Sequence, residues 1–552
     1  MRGRGGWRRG GPVRRWSAGG RGLWPCDDDS SGRVAARDRL GGRMRGRVVA
    51  RFLIEVEGPR LMLGRLLLGF SLLLVAAPSL ATRPEDEADR ASVVKIFTTA
   101  RMPNLSQPWT RRAPTEATGS GVVISGNRIL TNSHVVNYAK RILVQPYQSS
   151  EKYEGHVIAI ARGIDLALIE LEDESFFDTH PAAELSDEFP RIGSTVQAIG
   201  YPMGGDALSV TEGIVSRIEF TDYNGVTRGL RMQVDTALNP GNSGGPVFLG
   251  DKVIGLVFSG IPSAENIGYV IPTDEILMFL EDIEDGSYEG NPRMFSRLQT
   301  AENPALRERL GLSSDQTGLV VTDADEDSVL KEWDLIDRIG DHDIDNRGMV
   351  DVEGGFRFHF GYYVPKLAHD GVVTLTVIRD GESVELDLPV KVRPDRVMEP
   401  LDGAYPSYLI HGPMVFTPVY SELAQAAARV GPALAFQKNP IVERLSDEPA
   451  FEGEQLVVLP SPFFPHRTTK GYQLGLLPVL ESVNGVKVKN LAHLAELLRD
   501  AEGEFIEFKF AGMTNETLVF DRAQLEEATE DILDDAGIRS EASDDILPIL
   551  KK

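Results

Sequence analysis

One stretch of the sequence decides the fold prediction, and it reads Asn239-Pro240-Gly241-Asn242-Ser243-Gly244-Gly245-Pro246. A serine with glycine neighbours can occupy a tight turn that exposes its hydroxyl, and successive backbone amides of such a turn can converge on one point. This combination suits a nucleophile that attacks a carbonyl carbon while N–H groups stabilise the oxyanion. Gly, Asn and Pro are also ordinary turn residues, so this stretch alone leaves a polar hairpin turn open as the alternative.

Two upstream residues supply the partners that a serine nucleophile needs, which are a base and a carboxylate that orients the base. His134 lies in residues 131–136, directly after strand-like runs, and Asp165 opens the apolar run 165–169. The chain order His134, Asp165, Ser243 is that of chymotrypsin-type enzymes and differs from that of subtilisins and α/β-hydrolases. A lone histidine or aspartate at such a position is more often structural, but the three in this order predict a Ser-His-Asp triad.

The residues around these three predict β structure. Short runs rich in Val and Ile, separated by Gly, Asn, Asp and Pro, extend from residue 119 to residue 271. Their spacing favours a pair of β-barrels over alternating β-α-β units. A helix is then predicted over residues 274–285, with Thr273 as its N-cap and Gly286 at its end.

Six motifs together resemble the HtrA (Deg) family of serine proteases over residues 117–285. They are Thr131-Asn132-Ser133-His134-Val135-Val136, Asp165-Leu166-Ala167-Leu168, Ala198-Ile199-Gly200-Tyr201-Pro202, Thr211-Glu212-Gly213-Ile214-Val215-Ser216, Gly241-Asn242-Ser243-Gly244-Gly245-Pro246 and Asn266-Ile267-Gly268-Tyr269-Val270-Ile271-Pro272. The C-terminal half is similar to the plant-type branch, in which a degenerate second PDZ domain follows the first. The resemblance implies a mostly β fold, with a chymotrypsin-like double β-barrel followed by two PDZ-like α+β domains. It also implies a serine endopeptidase that hydrolyses unfolded or damaged proteins in protein quality control.

The resemblance also implies roles for individual residues. Ser243 is the expected nucleophile, His134 the base and Asp165 the orienting carboxylate, and the amides of Gly241, Asn242 and Ser243 are the expected oxyanion hole. Asn242 stands where digestive relatives have an aspartate that pairs with a newly cut N-terminus. That activation is therefore unavailable, and we expect neighbouring loops or subunits to set the oxyanion loop.

The substrate pocket is expected to have an apolar floor. Ala237 lies six residues before Ser243, a position that forms the pocket floor in trypsin-like enzymes, and Ile267 and Gly268 are candidates for its wall. Without a carboxylate at the floor, an Arg or Lys side chain would be buried unpaired at a large cost. We therefore predict cleavage after small or medium apolar residues. The alternative is that Ala237 merely packs, since pocket depth depends on loops.

The chain is too long for one core, and its composition divides it into segments. The predicted segments are an Arg/Gly-rich leader over 1–61 that is either poorly structured or upstream of the true start, a signal peptide over 62–81, an N-terminal segment over 82–116, the protease domain over 117–286, PDZ-like domain 1 over 287–396, a bridging region over 397–450, and a degenerate PDZ-like domain 2 with an acidic C-terminal helix over 451–552.

Charge and cysteine usage constrain partners and compartment. Residues 1–60 hold 15 arginines, no lysine and six acidic residues, so they carry +9 of a total of −24 and the remainder carries −33. The leader lacks the aromatic and repeat patterning of nucleic-acid-binding tails, so no nucleic-acid partner is expected. Cys26 is the single cysteine, which excludes disulfides and thiolate sites from the mature chain.

The targeting signals predict export. Residues 62–81 have a basic start, an apolar core and a small-residue cleavage site, so an exported protein of the periplasm or cell envelope is expected, with no stable membrane span after cleavage. An uncleaved anchor and an organelle lumen are the alternatives, although the acidic run Asp27-Asp28-Asp29 is atypical of a transit peptide.

Ligands and partners follow from the remaining motifs. The family's apolar-Gly-apolar loop is replaced by Met294-Phe295-Ser296, so PDZ-like domain 1 either binds peptide termini or only holds subunits together. The acidic run 341–345 lacks the Gly and Glu of a calcium loop, so no metal and no cofactor is expected. Expected partners are unfolded protein or peptide substrates and further copies of the chain, in a trimer-based or higher homo-oligomer. A non-catalytic chaperone or scaffold of the same fold is the alternative function.

Overall fold

The computed structural model describes residues 84–203, 205–223, 227–260, 268–324, 328–513 and 517–552. The predicted leader, the signal peptide, Cys26 and the pocket residue Ile267 lie outside these residues. Within the described part of the chain, every helix is too short or too polar to cross a bilayer.

The first β-barrel follows helix α1 (Pro84–Ser92) and contains a short helix α2 (Ser133–Val136). Its strands are β1 (Val93–Ala100), β2 (Thr115–Ile124), β3 (Arg128–Thr131), β4 (Ala139–Gln145), β5 (Tyr153–Ala161) and β6 (Leu166–Leu171). They close in the order β1-β2-β3-β6-β5-β4, and apolar side chains such as Ile96, Val123 and Ile169 fill the interior with 0–1% of their surface exposed. Burial of these side chains from water is the main force that holds the barrel closed.

The second barrel follows a 3₁₀ turn (Glu174–Asp178). Its strands are β7 (Glu184–Leu185), β8 (Thr195–Gly200), β9 (Ser209–Tyr223), β10 (Thr227–Val234), β11 (Pro246–Leu249), β12 (Lys252–Gly260) and β13 (Gly268–Pro272). Six of them form a ring, because β11 pairs with both β8 and β12, and β7 adds to the ring in parallel beside β12. The predicted double β-barrel is confirmed.

Helix α3 (Thr273–Asp282) closes the second barrel. Its N-cap is Pro272 and Thr273 is its first helical residue, so the prediction of Thr273 as the cap is wrong. A 3₁₀ turn (Ile283–Asp285) continues the helix to Gly286, which ends it with φ 91°. A left-handed glycine is a common helix terminator.

Residues 287–396 form a small α+β module. Its elements are β14 (Arg297–Thr300), α4 (Pro304–Leu310), β15 (Leu319–Asp323), β16 (Leu335–Ile339), β17 (His342–Asp343), β18 (Met349–Val352), β19 (Phe356–His359), α5 (Val364–Leu367), β20 (Val372–Arg379) and β21 (Glu382–Pro389). The sheet runs β14-β15-β16-β20-β21, with β14 at one edge, and β18 and β19 form a separate hairpin. This hairpin packs on the second barrel, where Phe358 and Tyr362 share a core with Val215 and Val234.

The last module contains strands from both sides of residue 450. Its elements are β22 (Leu409–His411), β23 (Met414–Pro418), α6 (Ser421–Ala427), α7 (Gly431–Phe436), α8 (Pro440–Glu443), β24 (Val457–Val458), β25 (Leu480–Val483), β26 (Val486–Lys487), α9 (Leu491–Arg499), β27 (Phe505–Phe510), β28 (Leu518–Asp521), α10 (Arg522–Ala536) and α11 (Leu547–Leu550). The rings of Phe416 and Phe508 lie 5.9 Å apart in one core, and β23 pairs with β24. The expected division between a bridging region over 397–450 and a domain over 451–552 is therefore wrong, since the strands of the former belong to the core of the latter.

Candidate active site

The position of His134 is set by the side chain of Asp165. His134 is the second residue of α2, which follows β3, and Asp165 lies in the turn before β6. One carboxylate oxygen of Asp165 lies 2.7 Å from Nδ1 of His134, and the other accepts from the His134 amide at 2.9 Å and from the Ser133 hydroxyl at 2.7 Å. Because an ionised carboxylate only accepts hydrogen bonds, Nδ1 carries the proton and Nε2 is left as the basic nitrogen.

The backbone of Asp165 is held in an unusual conformation. Its φ is +63°, in the left-handed region that a non-glycine residue rarely adopts. Its carbonyl oxygen accepts from the Ser133 amide at 3.2 Å and from the Asn132 side-chain amide at 3.0 Å. These bonds join the loops that carry the base and the carboxylate, and they compensate the strain.

Ser243 lies across the seam between the barrels, in the loop that precedes β11. Its hydroxyl donates to the carbonyl oxygen of Phe258 on β12 at 3.3 Å. The ring of Phe258 in turn meets the imidazole of His134 edge-on, with the centroids 6.5 Å apart. The structure thus brings the three predicted residues together around Phe258, with two of them from the first barrel and one from the second.

The turn before Ser243 determines where its amides point. The Asn242 amide donates to the Asn239 carbonyl at 3.0 Å, and Gly241 between them has φ +102°. Proline at the second position and a left-handed glycine at the third are features of a type II turn. The Pro240 carbonyl accepts from the Met203 amide at 2.7 Å, so the Gly241 N–H of the same trans peptide points away from Met203.

One of the three expected oxyanion donors is already used. The Asn242 amide closes the turn with Asn239 and is not available to an oxyanion. The expectation of a third donor there is wrong, because a donor that closes a four-residue turn points into that turn. The Gly241 and Ser243 amides remain as the two candidates.

Ser120 is a site residue that the sequence reasoning missed. Its hydroxyl donates to the Gly241 carbonyl at 2.8 Å and accepts from the Tyr201 amide at 2.8 Å, while its own amide donates to the Ser243 carbonyl at 2.9 Å. Ser120 is fully buried in β2, so it connects the first barrel to the oxyanion turn. A polar residue inside an apolar strand, between Gly119 and Gly121, is the signal that was available in the sequence.

The expected pocket residues are only partly brought together. Ala237 is exposed in the loop after β10, and Gly268 begins β13 beside Val234. A side chain at Gly268 would meet Leu238 at 2.3 Å, so Leu238, the neighbour of Ala237, contacts this wall. Leu238 was missed by the sequence reasoning.

Two residues with ionisable side chains, Arg231 beside Phe258 and Glu275 on α3, are buried in this region. The guanidinium carbon of Arg231 is 5.3 Å from the centre of the Phe258 ring, and the Arg231 side chain is 1% exposed. The carboxylate of Glu275, on α3, accepts from the Leu230 amide at 2.7 Å. Burial raises the pKa of Glu275, and Arg231 opposes that rise. The preceding residue, Asp274, accepts from the Tyr362 hydroxyl and the Lys366 ammonium of the module formed by residues 287–396.

Two clefts lie at the loop formed by Met294, Phe295 and Ser296. Met294 and Ser296 line both, and the cleft volumes are about 560 and 390 Å³. The smaller cleft runs along the edge strand β14 and is also lined by Phe220 and Arg228 of the second barrel.

Comparison with known proteins gives the same picture. Residues 119–256 match the trypsin-like peptidase domain, and residues 398–545 match the PDZ domain. Protease Do-like 4, mitochondrial, from Arabidopsis thaliana is 36% identical over 450 residues, which are 80% of this chain and 83% of that protein. Protease Do-like 2, chloroplastic, from the same plant is 34% identical over 466 residues, which are 83% of this chain and 75% of that protein. Among solved structures, the HtrA-type protease AlgW with decapeptide is 24% identical, with a TM-score of 0.44 over 56% of this chain and 98% of that one.

Proposed function

Because the chain belongs to the HtrA (Deg) family of Do-like serine proteases, and is therefore a serine endopeptidase, we propose that its catalytic triad is His134, Asp165 and Ser243. The observation that carries this proposal is the 2.7 Å contact between His134 Nδ1 and Asp165, beside Phe258, whose carbonyl accepts from the Ser243 hydroxyl. A base held in one tautomer by a carboxylate is what a serine nucleophile requires.

His134 takes up and releases one proton in each half of the reaction. The Ser243 hydroxyl turns from the Phe258 carbonyl towards Nε2 of His134, which accepts its proton as Oγ attacks the peptide carbonyl carbon. The tetrahedral intermediate collapses, the C–N bond breaks, and the protonated imidazole gives its proton to the leaving amine. Water then attacks the acyl carbon while the same nitrogen takes its proton, the bond from that carbon to Ser243 Oγ breaks, and His134 returns the proton to Oγ.

The oxyanion is stabilised by the Gly241 and Ser243 amides. The anchoring of the Pro240 carbonyl by Met203 supports this role for Gly241, since it fixes the direction of the Gly241 N–H. Loss of one such donor typically costs about 3 kcal/mol of transition-state stabilisation.

The substrates are proposed to be unfolded or damaged proteins, cleaved after small or medium apolar residues. Exposed Ala237 and the apolar contact between Leu238 and Gly268 support an apolar pocket. An extended, unfolded segment reaches the nucleophile more easily than a folded one, because Ser243 lies where the two barrels meet.

We propose further that residues 287–396 are a PDZ-like domain and that the protein acts in an organelle lumen as a homo-oligomer. The relatives named mitochondrial and chloroplastic support an organelle over the periplasm. A trimer-based or higher assembly stays a prediction, and light scattering on the purified protein measures it.

Labelling with a fluorophosphonate tests the function directly. The folded protein should react at Ser243 and cleave a denatured reporter protein, and Ser243→Ala should abolish both. Ser216→Ala, in β9 of the same barrel, is the matched control and should leave both unchanged. A folded protein that takes no label and only protects the reporter from aggregation would instead be the non-catalytic chaperone or scaffold.

A further inference from the structure

A buried lysine connects the first barrel to the loop beside the oxyanion turn. Lys95, in β1, is 5% exposed, and its ammonium donates to the Gly205 carbonyl at 3.0 Å and to the Asp206 carboxylate at 2.8 Å. It also lies 5.0 Å from the centre of the Phe97 ring. The hydrogen bond from Lys95 lowers the pKa of the Asp206 carboxyl. Burying an ammonium is costly unless it is paired, so Lys95 constrains the loop that supplies its acceptors.

That loop is also the one that holds the oxyanion turn. Its described residues are 201–203 and 205–208, and the Tyr201 amide donates to Ser120 at 2.8 Å. Two residues later, the Met203 amide donates to the Pro240 carbonyl at 2.7 Å. The loop is therefore fixed at Tyr201 by Ser120 and at Gly205 and Asp206 by Lys95, with Met203 between the two attachments.

The orientation of the Pro240–Gly241 peptide needs such an external restraint. Glycine adopts positive and negative φ with similar ease, so a Pro-Gly turn can change between type I and type II by rotation of its central peptide. The rotation reverses the directions of the Pro240 carbonyl and the Gly241 N–H. The bond from Met203 favours the type II arrangement, because it holds the Pro240 carbonyl on one side.

We propose that Lys95 is a positioning residue for the oxyanion hole, which acts by holding the loop whose Met203 amide orients the Pro240–Gly241 peptide. This inference rests on the proposed function of the Gly241 amide as an oxyanion donor. Lys95 touches neither substrate nor the triad, so its effect belongs to the transition state and not to ground-state substrate binding.

Replacement of Lys95 by methionine tests the proposal, because methionine keeps the apolar stem and removes the ammonium. The expected result is a loss of about 10- to 100-fold in kcat with KM within twofold of wild type, since one oxyanion donor is worth up to about 10²–10³ in kcat. Affinity for a peptide boronate, which forms a tetrahedral adduct on Ser243, should fall by a similar factor. Affinity for a non-covalent product peptide should stay unchanged.

Lys152→Met is the matched control. The Lys152 ammonium lies 3.6 Å from the centre of the same Phe97 ring, and the side chain is exposed. The Lys152→Met variant should keep wild-type kcat and boronate affinity. A loss seen only in Lys95→Met is then due to the lost loop attachment and not to removal of a cation near Phe97.

Asp206→Ala addresses the case in which Lys95→Met fails to fold. The Asp206 side chain is fully exposed, so its removal leaves the core intact while it cuts one of the two loop bonds. We expect a smaller loss of kcat and boronate affinity, with KM and product-peptide affinity unchanged.

The outcomes separate this inference from the proposed function. A folded Lys95→Met variant with wild-type kcat and boronate affinity overturns the inference, as does a variant that loses only KM. If Lys95→Met is unfolded, wild-type kcat and boronate affinity in Asp206→Ala overturn it. Wild-type protein that neither reacts with a fluorophosphonate nor cleaves peptide contradicts the proposed function itself.

Discussion

Replacement of Gly241 by alanine is the perturbation that most directly probes the oxyanion turn. The added Cβ would lie 2.5 Å from the Met203 nitrogen, 2.5 Å from the Tyr201 oxygen and 2.8 Å from the Pro202 carbonyl carbon. All three are backbone atoms, so no side-chain rotation relieves the contact. Either the Pro240–Gly241 peptide or the facing loop must therefore shift.

The size of the effect follows from two separate contributions. Gly241 has φ +102°, and a left-handed conformation costs an alanine about 1–2 kcal/mol. The forced shift also moves the Gly241 N–H from the oxyanion position, and the loss of one such donor costs about 10²–10³ in kcat. We expect kcat to fall by about 100- to 1,000-fold with KM little changed.

Gly250→Ala separates these contributions. Gly250 has φ +66°, and a Cβ built there meets nothing within 4 Å. It therefore carries a comparable conformational cost without the clash, and it should lose a similar amount of stability while keeping kcat. Steady-state kinetics on a chromogenic peptide and thermal unfolding measure both quantities. A folded Gly241→Ala variant within tenfold of the wild-type kcat would refute the assignment of this amide to the oxyanion hole.

Three further predictions concern other parts of the molecule. Burial lowers the pKa of His411 to about 4, below the 6.5 expected in the unfolded chain. About 3 kcal/mol of the free energy of unfolding that is present above pH 6.5 should therefore be lost as the pH falls from 6.5 to 4. Urea unfolding of the His411→Gln variant should lack this part of the pH dependence. Arg379→Met removes the partner that lies 2.7 Å from the Asp334 carboxylate, a group only 1% exposed. It should lower the free energy of unfolding in urea by about 3 kcal/mol. The matched change at the exposed Arg338, which pairs with Asp343, should lower it by under about 1 kcal/mol. Peptides with valine before the scissile bond should be cut faster than those with arginine, and Ala237→Asp should reverse the order; faster cleavage after arginine by the wild type contradicts an apolar pocket.

The sequence could predict the proposed triad because each of its members lies in a short motif. His134 follows a strand-like run, Asp165 opens one and Ser243 lies in a glycine-rich turn, and their order selects one class of enzyme. The barrel pair could be predicted as well, since short Val/Ile runs between turn residues are a local signal.

Contacts between residues that lie far apart along the chain could not be predicted from the sequence. Ser120 meets Gly241 over 121 residues, and Lys95 meets Asp206 over 111 residues. No periodicity or spacing encodes such pairs. The boundary near residue 450 failed for the same reason, because proline-rich composition suggested a linker while β23 pairs with β24 beyond it.

The misassigned Asn242 amide shows where a motif stops being informative. The motif gives the residues of the turn, but whether an amide points outward depends on which carbonyl it bonds, and here Asn242 bonds Asn239. Three other hydrogen bonds hold the turn in place of the aspartate that digestive proteases use. Ser120 holds the Gly241 carbonyl, Met203 holds the Pro240 carbonyl, and the Gly244 amide donates to the Val257 carbonyl at 2.9 Å.

The donors Ser120 and Met203 lie outside the turn, in β2 and in the loop of residues 201–208. The bonds made by Met203 and Gly244 join backbone groups, whose positions depend on the surrounding packing. The conformation of the turn therefore depends on the loops around it. A change that loosens residues 201–208 or β2 should displace the oxyanion donors more than it displaces His134. Changes in the surrounding loops should therefore alter kcat. An ion pair with a newly cut N-terminus would instead make activity depend on one proteolytic event, and full activity of the chain without a defined N-terminal residue is the observation that distinguishes the two.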